Sequence, residues 1–174
     1  VDGKGASYGA HENYMYSRGT DFEVLAQALI PFFVARQVIT GAGRVGIGPA
    51  GQTPGFQISQ RADYIEQEIS LETTLNRGII NTRDEPHTDA ERWGRLHVII
   101  GDANMSHTAM VLKLGMTSLV LDSIESGTNF TDLRLVDPVG DVRRVSRDFQ
   151  CTARLTLVDG RELTVIDILR AYRD

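Results

Sequence analysis

Gly78-Ile79-Ile80-Asn81-Thr82-Arg83-Asp84-Glu85-Pro86-His87 and, after a polar bridge, Arg95-Leu96-His97-Val98-Ile99-Ile100-Gly101-Asp102-Ala103-Asn104 are the two runs that decide the fold. Each is a short apolar run of strand length that stops at groups able to hold phosphate or a metal ion. The first stops at Asn81, Thr82, Arg83, Asp84 and Glu85. The second carries an imidazole, His97, inside it and stops at Gly101-Asp102-Ala103-Asn104. Charged and imidazole groups gathered at strand ends point to a site.

All four histidines of the chain bear on that reading. His87, His97 and His107 lie in or beside the central block, and His11 lies in Ser7-Tyr8-Gly9-Ala10-His11-Glu12-Asn13-Tyr14. Residues 5–17 alternate as a strand, which puts Ser7, Gly9, His11, Asn13 and Met15 on one face and Tyr8, Ala10, Glu12, Tyr14 and Tyr16 on the other. Thr20, with Glu23 three residues on, signals a capping box, followed by Phe22, Leu25, Ala26, Leu29 and Ile30 at helical spacing. Pro31 kinks that helix or restarts it as a segment running to about Ile39, and Gly41 and Gly43 end it.

Gly41-Ala42-Gly43-Arg44-Val45-Gly46 spells G-x-G-x-x-G, but the order of strand and helix around it is the reverse of a dinucleotide site, so a loop reaching Gly55 is predicted. Phe56–Ile65 alternates and is predicted as a strand with Gln57, Ser59, Arg61 and Asp63 on its polar face, which aims Arg61 at a site. Ser106 caps a helix through Met110, Val111, Leu114, Leu119, Val120 and Ile124 that covers a sheet. Asp137-Pro138 opens a short helix with Val139, Val142 and Val145 inward. Arg154–Val158 and Arg161–Leu163 form a hairpin around Asp159-Gly160, and Thr164 with Asp167 caps a last helix carrying Val165, Ile168, Leu169 and Tyr172. The pattern predicts an α+β domain: a mostly antiparallel, curved sheet backed by the helices near residues 21–39 and 106–126.

With 174 residues, 41% of them hydrophobic, the chain buries one core. A formal charge of −5 argues against nucleic acid as a partner. Arg36, Gln37, Lys113 and Asp122 interrupt the longest apolar stretches, so no membrane span is expected. The single cysteine, Cys151, leaves no internal disulfide and suits a cytoplasmic protein. Because Val1 is not a start methionine and strand-like sequence begins at once, the expectation is an internal fragment whose missing N-terminal part shares the site.

Divalent metals that accompany nucleotide phosphates take oxygen ligands with an occasional imidazole, and guanidinium grips phosphate bidentately. His11 and His97 within strands, Arg83 at the end of a third and Arg61 in a fourth would converge on one charged pocket. A single histidine in a strand is more often a hydrogen-bonded structural residue; the joint placement favours the site. Arg83-Asp84-Glu85 also reads as a solvated ion-pair turn. His107 reads as surface, His87 as a residue that positions the loop or meets the substrate, and Cys151 has no nearby base to make it a nucleophile.

At Ser7–Tyr14, Ile79–His87 and Arg95–Asn104, and in the same order along essentially the whole chain, the sequence resembles the Pup ligase and Pup deamidase family of the carboxylate-amine ligase superfamily. Gly101–Asn104 followed by an apolar helix is also similar to the Asp-x-x-Asn-Pro-Tyr region of glutamine synthetases. Val1–Gly9, Gly43–Pro49 and Arg61–Glu66 resemble the hydrolytic branch of the family. The resemblance implies that residues 1–174 are part of one glutamine synthetase-like catalytic domain that hydrolyses the isopeptide bond between the C-terminal glutamate of Pup and a substrate lysine. It also implies deamidation of a C-terminal glutamine of Pup.

ATP, or ADP plus phosphate, with Mg2+ is the implied cofactor. Pup, pupylated proteins and a proteasomal ATPase are the implied partners. Residue by residue, the resemblance makes His11 and His97 metal ligands; His11, Asn13 and Arg83 nucleotide-binding residues; and Arg61 and Arg83 stabilisers of phosphate and the reacting carboxyl group. The family's metal-binding glutamates, catalytic aspartate and small C-terminal domain are expected outside this chain, so these residues alone are expected to be inactive. A Pup–protein ligase and a non-catalytic Pup-binding module are the alternatives.

Overall fold

Burial alternates along the first strand as the sequence pattern requires: Glu12, Tyr14 and Tyr16 are buried, while His11, Asn13 and Met15 are exposed. The computed structural model describes residues 8–174, so Val1–Ser7 of the alternating run and of the family-like segment lie outside it. Strand β1 (Glu12–Ser17) pairs antiparallel with β6 (Trp93–Val98), β6 pairs antiparallel with β5 (Gly78–Asn81), and β5 pairs parallel with β4 (Gln67–Ser70). The resulting four-stranded sheet is mostly antiparallel, as read, with order β1-β6-β5-β4. Strand β4 was not foreseen, because Gln67 and Glu68 are exposed and leave it no apolar alternation.

Helix α1 (Phe22–Thr40) is the centre of the core and packs against helices α2 (His107–Glu125), α3 (Pro138–Arg147) and α4 (Val165–Arg173). Its cap is Asp21 rather than Thr20: the carboxylate accepts from the backbone N–H groups of Glu23 and Val24 at 2.8 and 3.2 Å. The helix runs unbroken through Pro31. Pro31 lacks the N–H that would meet the Gln27 carbonyl, but it is buried with both flanks, and packing offsets the lost bond. By length and composition alone α1 is apolar enough to cross a bilayer. Here it is a core helix whose polar residues are held inside: Gln37 Nε2 donates to the carbonyls of Val34 and Val142.

Two expectations are corrected between residues 41 and 65. The Gly-rich stretch is not a loop but an antiparallel pair, β2 (Arg44–Ile47) with β3 (Thr53–Gln57), which uses positive φ at Gly46 where the β2 register shifts and at Gly48 and Gly51 in the connection. The strand predicted over Phe56–Ile65 stops at Gln57, and the chain turns through a short 3₁₀ helix at Ala62–Tyr64. The reason is visible in its polar residues. Gln57, Ser59, Arg61 and Asp63 are all buried, and they bond to distant groups instead of lining an open face. The Asp63 carboxylate alone accepts from Gln57 Nε2, Gly48 N and Arg147 Nη2, each at 2.7 Å.

Ser106 caps α2 as read, but of the apolar residues expected along that helix only Val120 and Ile124 are buried; Met110, Val111, Leu114 and Leu119 are exposed. Helix α3, the hairpin β7 (Arg154–Thr156) with β8 (Glu162–Thr164), and the Thr164/Asp167 capping box of α4 form where the local signals place them.

Asp141 in α3 is buried, and that burial raises its carboxyl to about 6 against the opposing pull of half-exposed Arg144, with Asp137 adding to the rise. The folded state therefore holds a proton that the unfolded chain releases at lower pH, and the stability this contributes is lost as pH rises from about 4 through about 6. Asp141→Asn should raise the unfolding free energy at pH 7.5 by on the order of 1–3 kcal/mol and leave it nearly unchanged at pH 4. Urea unfolding at the two pH values measures this, and an equal effect at both would refute it.

Candidate functional site

The register of three strands builds the site. Asn13 lies opposite His97 in the β1/β6 pair, and His97 lies opposite Asn81 in the β6/β5 pair. Directly opposed residues project to the same face of a sheet, so Asn13, His97 and Asn81 form one row across it. His11, one alternation along β1, completes the group: its Nδ1 lies 3.2 Å from His97 Nε2, with ring centroids 5.2 Å apart. His97 Nδ1 in turn lies 3.3 Å from Asn81 Oδ1.

The opposite face of β1 is bolted to the helices. Arg36 of α1 donates to both carboxylate oxygens of Glu12, at 2.7 and 2.8 Å, and to Thr117 Oγ1 of α2 at 2.6 Å. Tyr14 Oη donates to the same carboxylate at 2.6 Å. Because alternate residues of a strand point to opposite sides, fixing Glu12 and Tyr14 against the core holds His11 and Asn13 on the outer face.

Asp102 closes the upper end. Its carboxylate accepts from Ala42 N and Ser59 Oγ at 2.8 Å, and from Gln60 N and Arg61 N. Its carbonyl accepts from Lys113 Nζ at 2.8 Å. Arg61 is therefore not a strand residue reaching into an open pocket. It is buried at the start of the 3₁₀ turn, donating from Nε and Nη2 to the Ile99 carbonyl. Its guanidinium lies so close under Gly9 that a Cβ there would come within 2.6 Å of Nε. Its charge still acts on the site: burial and Arg61 together hold the His11 imidazole below its ordinary pKa.

Arg83 lies just beyond β5 and is exposed. Its backbone N–H donates to Asn81 Oδ1 at 2.9 Å, its carbonyl accepts from Arg95 Nε, and its side chain has no hydrogen-bond partner among the described residues. The neighbouring acids are engaged elsewhere, Asp84 with Arg18 and with the N–H of Arg95, and Glu85 with Arg95. The acids of this turn are thus paired with Arg18 and Arg95 rather than with Arg83, whose guanidinium has no ion-pair partner among the described residues. His87 and His107 are exposed and outside the row. Burial, reinforced by Asp148, pushes the Cys151 thiol up, the opposite of a nucleophile's requirement.

His97 is 6% exposed, and burial first, then His11, Arg95 and Arg83, lowers its pKa to about 4. Both imidazoles are thus neutral at physiological pH, the form that ligates metal. Cis ligands of an octahedral ion each about 2.0–2.1 Å from it lie about 2.8–3.0 Å apart. The observed separation of 3.2 Å is a hydrogen-bond distance that would have to shorten slightly for both nitrogens to meet one such ion. Among the described residues no group of three or more His, Cys, Asp or Glu side chains is placed to hold an ion, so the pair by itself is not a complete metal site. Asn81, read from the sequence only as one of the groups that end the first run, proves to be part of the row. Its only signal in the sequence is an amide closing a wholly apolar run, where a fourth aliphatic residue would have been unremarkable.

Residues 1–174 match, in full, the family described as Pup-ligase protein. A Pup deamidase/depupylase of Mycolicibacterium smegmatis is 63% identical over 174 residues, 100% of this chain and 35% of that protein. A Pup–protein ligase of Paenarthrobacter aurescens is 50% identical over 172 residues, 99% of this chain and 37% of that protein. The structure of the Pup ligase PafA in complex with ADP superposes with a TM-score of 0.82 and 40% identity, covering 95% of this chain and 36% of PafA. The chain spans about a third of the length of the curated relatives it matches. With its entire length matched and its fold shared, the chain belongs to the Pup ligase family.

Proposed function

We propose that these residues form part of a glutamine synthetase-like catalytic domain with a curved sheet, belonging to a cytoplasmic Pup deamidase and depupylase. The observation that carries the site is the pair of neutral imidazoles, His11 and His97, on the sheet face away from the helices and beside the available guanidinium of Arg83. The hydrolytic reading is supported over the ligase by the higher identity to a protein named for that activity.

In this reading His11 and His97 hold Mg2+ together with oxygen ligands from elsewhere in the protein, and when bound the ion supplies Lewis acidity toward phosphate and carbonyl oxygens. Arg83 holds phosphate oxygens of ATP, or of ADP plus phosphate, bidentately, and Asn13 hydrogen-bonds the nucleotide from the same face. Arg61 acts from below: buried under Gly9, its charge raises the positive potential where the reacting carboxyl group of Pup gathers negative charge. Water adds across the amide, leaving a carboxylate on Pup and releasing ammonia or the substrate lysine amine. Pup and pupylated proteins are the partners this activity requires, and a proteasomal ATPase is a further proposed partner.

Full-length protein incubated with Mg2+, ATP and Pup ending in glutamine is expected to convert that glutamine to glutamate, read by intact-mass spectrometry. Conjugation of glutamate-ending Pup to a lysine with release of ADP, and no deamidation, would establish the ligase instead. Binding of Pup with neither reaction would leave only a docking module.

A further inference from the structure

Taking His97 as a metal ligand, as proposed above, we propose that Asn81 is a positioning residue that sets which nitrogen of His97 carries the proton and which is free to bind the ion. Asn81 is fully buried, and its three hydrogen-bonding neighbours determine its amide orientation without help from water. The carbonyl of Glu72, at 3.1 Å, accepts only from the amide NH₂, Nδ2. The backbone N–H of Arg83, at 2.9 Å, donates only to the amide oxygen, Oδ1. Two backbone groups of opposite polarity thus hold the amide in one of its two orientations.

The third neighbour then has no choice. His97 Nδ1 faces Oδ1 at 3.3 Å, and an acceptor facing a ring nitrogen requires that nitrogen to bear the proton. Nε2 is left with its lone pair, and Nε2 is the atom that faces His11 Nδ1 at 3.2 Å. His97 is therefore held in the ligating tautomer before any ion arrives. His11 is not: in the ion-free protein its Nδ1 is the donor to His97 Nε2. For His11 to ligate through Nδ1 its proton must move to Nε2, and because His11 is exposed, exchange through water accomplishes this. One ligand is preset by a buried amide and the other is adjustable. Glu72 and Arg83 belong to the segments before and after β5, so the tautomer of His97 also depends on the seating of that strand's two ends.

The test begins with wild-type protein labelled with ¹⁵N-histidine, without metal. Long-range ¹H–¹⁵N spectra are expected to show His97 with a protonated Nδ1 and an unprotonated Nε2; the reverse pattern overturns the proposal. Binding of Mn2+, followed by its electron paramagnetic resonance signal, adds a second readout. Asn81→Leu should mix the His97 tautomers and weaken Mn2+ binding about 10- to 100-fold, as loss of a group orienting a ligand generally does. Asn81→Asp keeps an acceptor for both His97 Nδ1 and Arg83 N but takes the donor from the Glu72 carbonyl, and should restore the wild-type tautomer and more of the affinity than Asn81→Leu retains. Equal losses in both variants, or none in Asn81→Leu, overturn the proposal. His97→Ala separates this from the metal reading: undiminished Mn2+ affinity there refutes His97 as a ligand, whereas a failed tautomer pattern alone refutes only the role of Asn81.

Discussion

Arg36→Met is expected to lower the unfolding free energy by about 3–5 kcal/mol, the cost of leaving a buried carboxylate without its partner. Arg36 and Glu12 are each 2% exposed at the side chain. Nη1 and Nη2 donate to Glu12, Thr117 and the Lys113 carbonyl, and the ring of Phe33 lies 4.9 Å from the guanidinium carbon. Methionine replaces the volume but none of the donors, so Glu12 keeps only Tyr14 Oη. For a chain of this size the loss corresponds to a fall in Tm of roughly 6–20 °C. Removing both charges, in Arg36→Met with Glu12→Leu, should recover much of it, since the penalty comes from the orphaned charge rather than from the lost pair. A single-variant loss under about 1 kcal/mol, or a double variant no better than the single, would contradict this account. The same variant reports on the site. Glu12 is what holds β1 down, so His11 and Asn13 should lose their fixed position before the protein unfolds.

His97→Ala in the full-length protein should reduce kcat/KM for deamidation of Pup by about 10²- to 10³-fold, because an ion stabilising transition-state charge contributes several kcal/mol and each 1.4 kcal/mol is tenfold. His11→Ala should do the same through the shared ion. The double variant decides whether the ion is shared: two ligands of one centre act as a unit, so removing both should cost little more than removing one. Multiplying losses would mean that the two imidazoles act separately, and the 3.2 Å contact between them would be a structural hydrogen bond. Thermal unfolding of each variant controls for a loss of fold.

Where a signal is local, sequence and structure agree. Ser106 caps α2, Asp137-Pro138 opens α3 and the Thr164/Asp167 box opens α4, because a cap is a bond between residues three apart. The alternation that puts His11 and Asn13 on one side of β1 is equally local. One reading changed locally: the cap of α1 shifted by one residue, from Thr20 to Asp21. The other readings that changed depended on distant partners. Met110, Val111, Leu114 and Leu119 are apolar yet exposed, since helical spacing reveals an apolar residue but not which side meets the core. Arg61 sat on what looked like the polar face of a strand, and every residue of that face proved buried.

By itself the sequence determined strands β1, β5 and β6, the four helices, the C-terminal hairpin, the acidic character and the family, because periodicity, capping and motif order are written in neighbouring residues. Tertiary structure alone decided that residues 86 apart, His11 and His97, meet across a strand pair, that Asn81 closes the row, and that Arg61 is buried beneath Gly9. The physical reason is register. A strand's partner and its offset are set by what the whole core can bury, and moving β1 by one residue against β6 would turn Glu12 outward and the histidine inward.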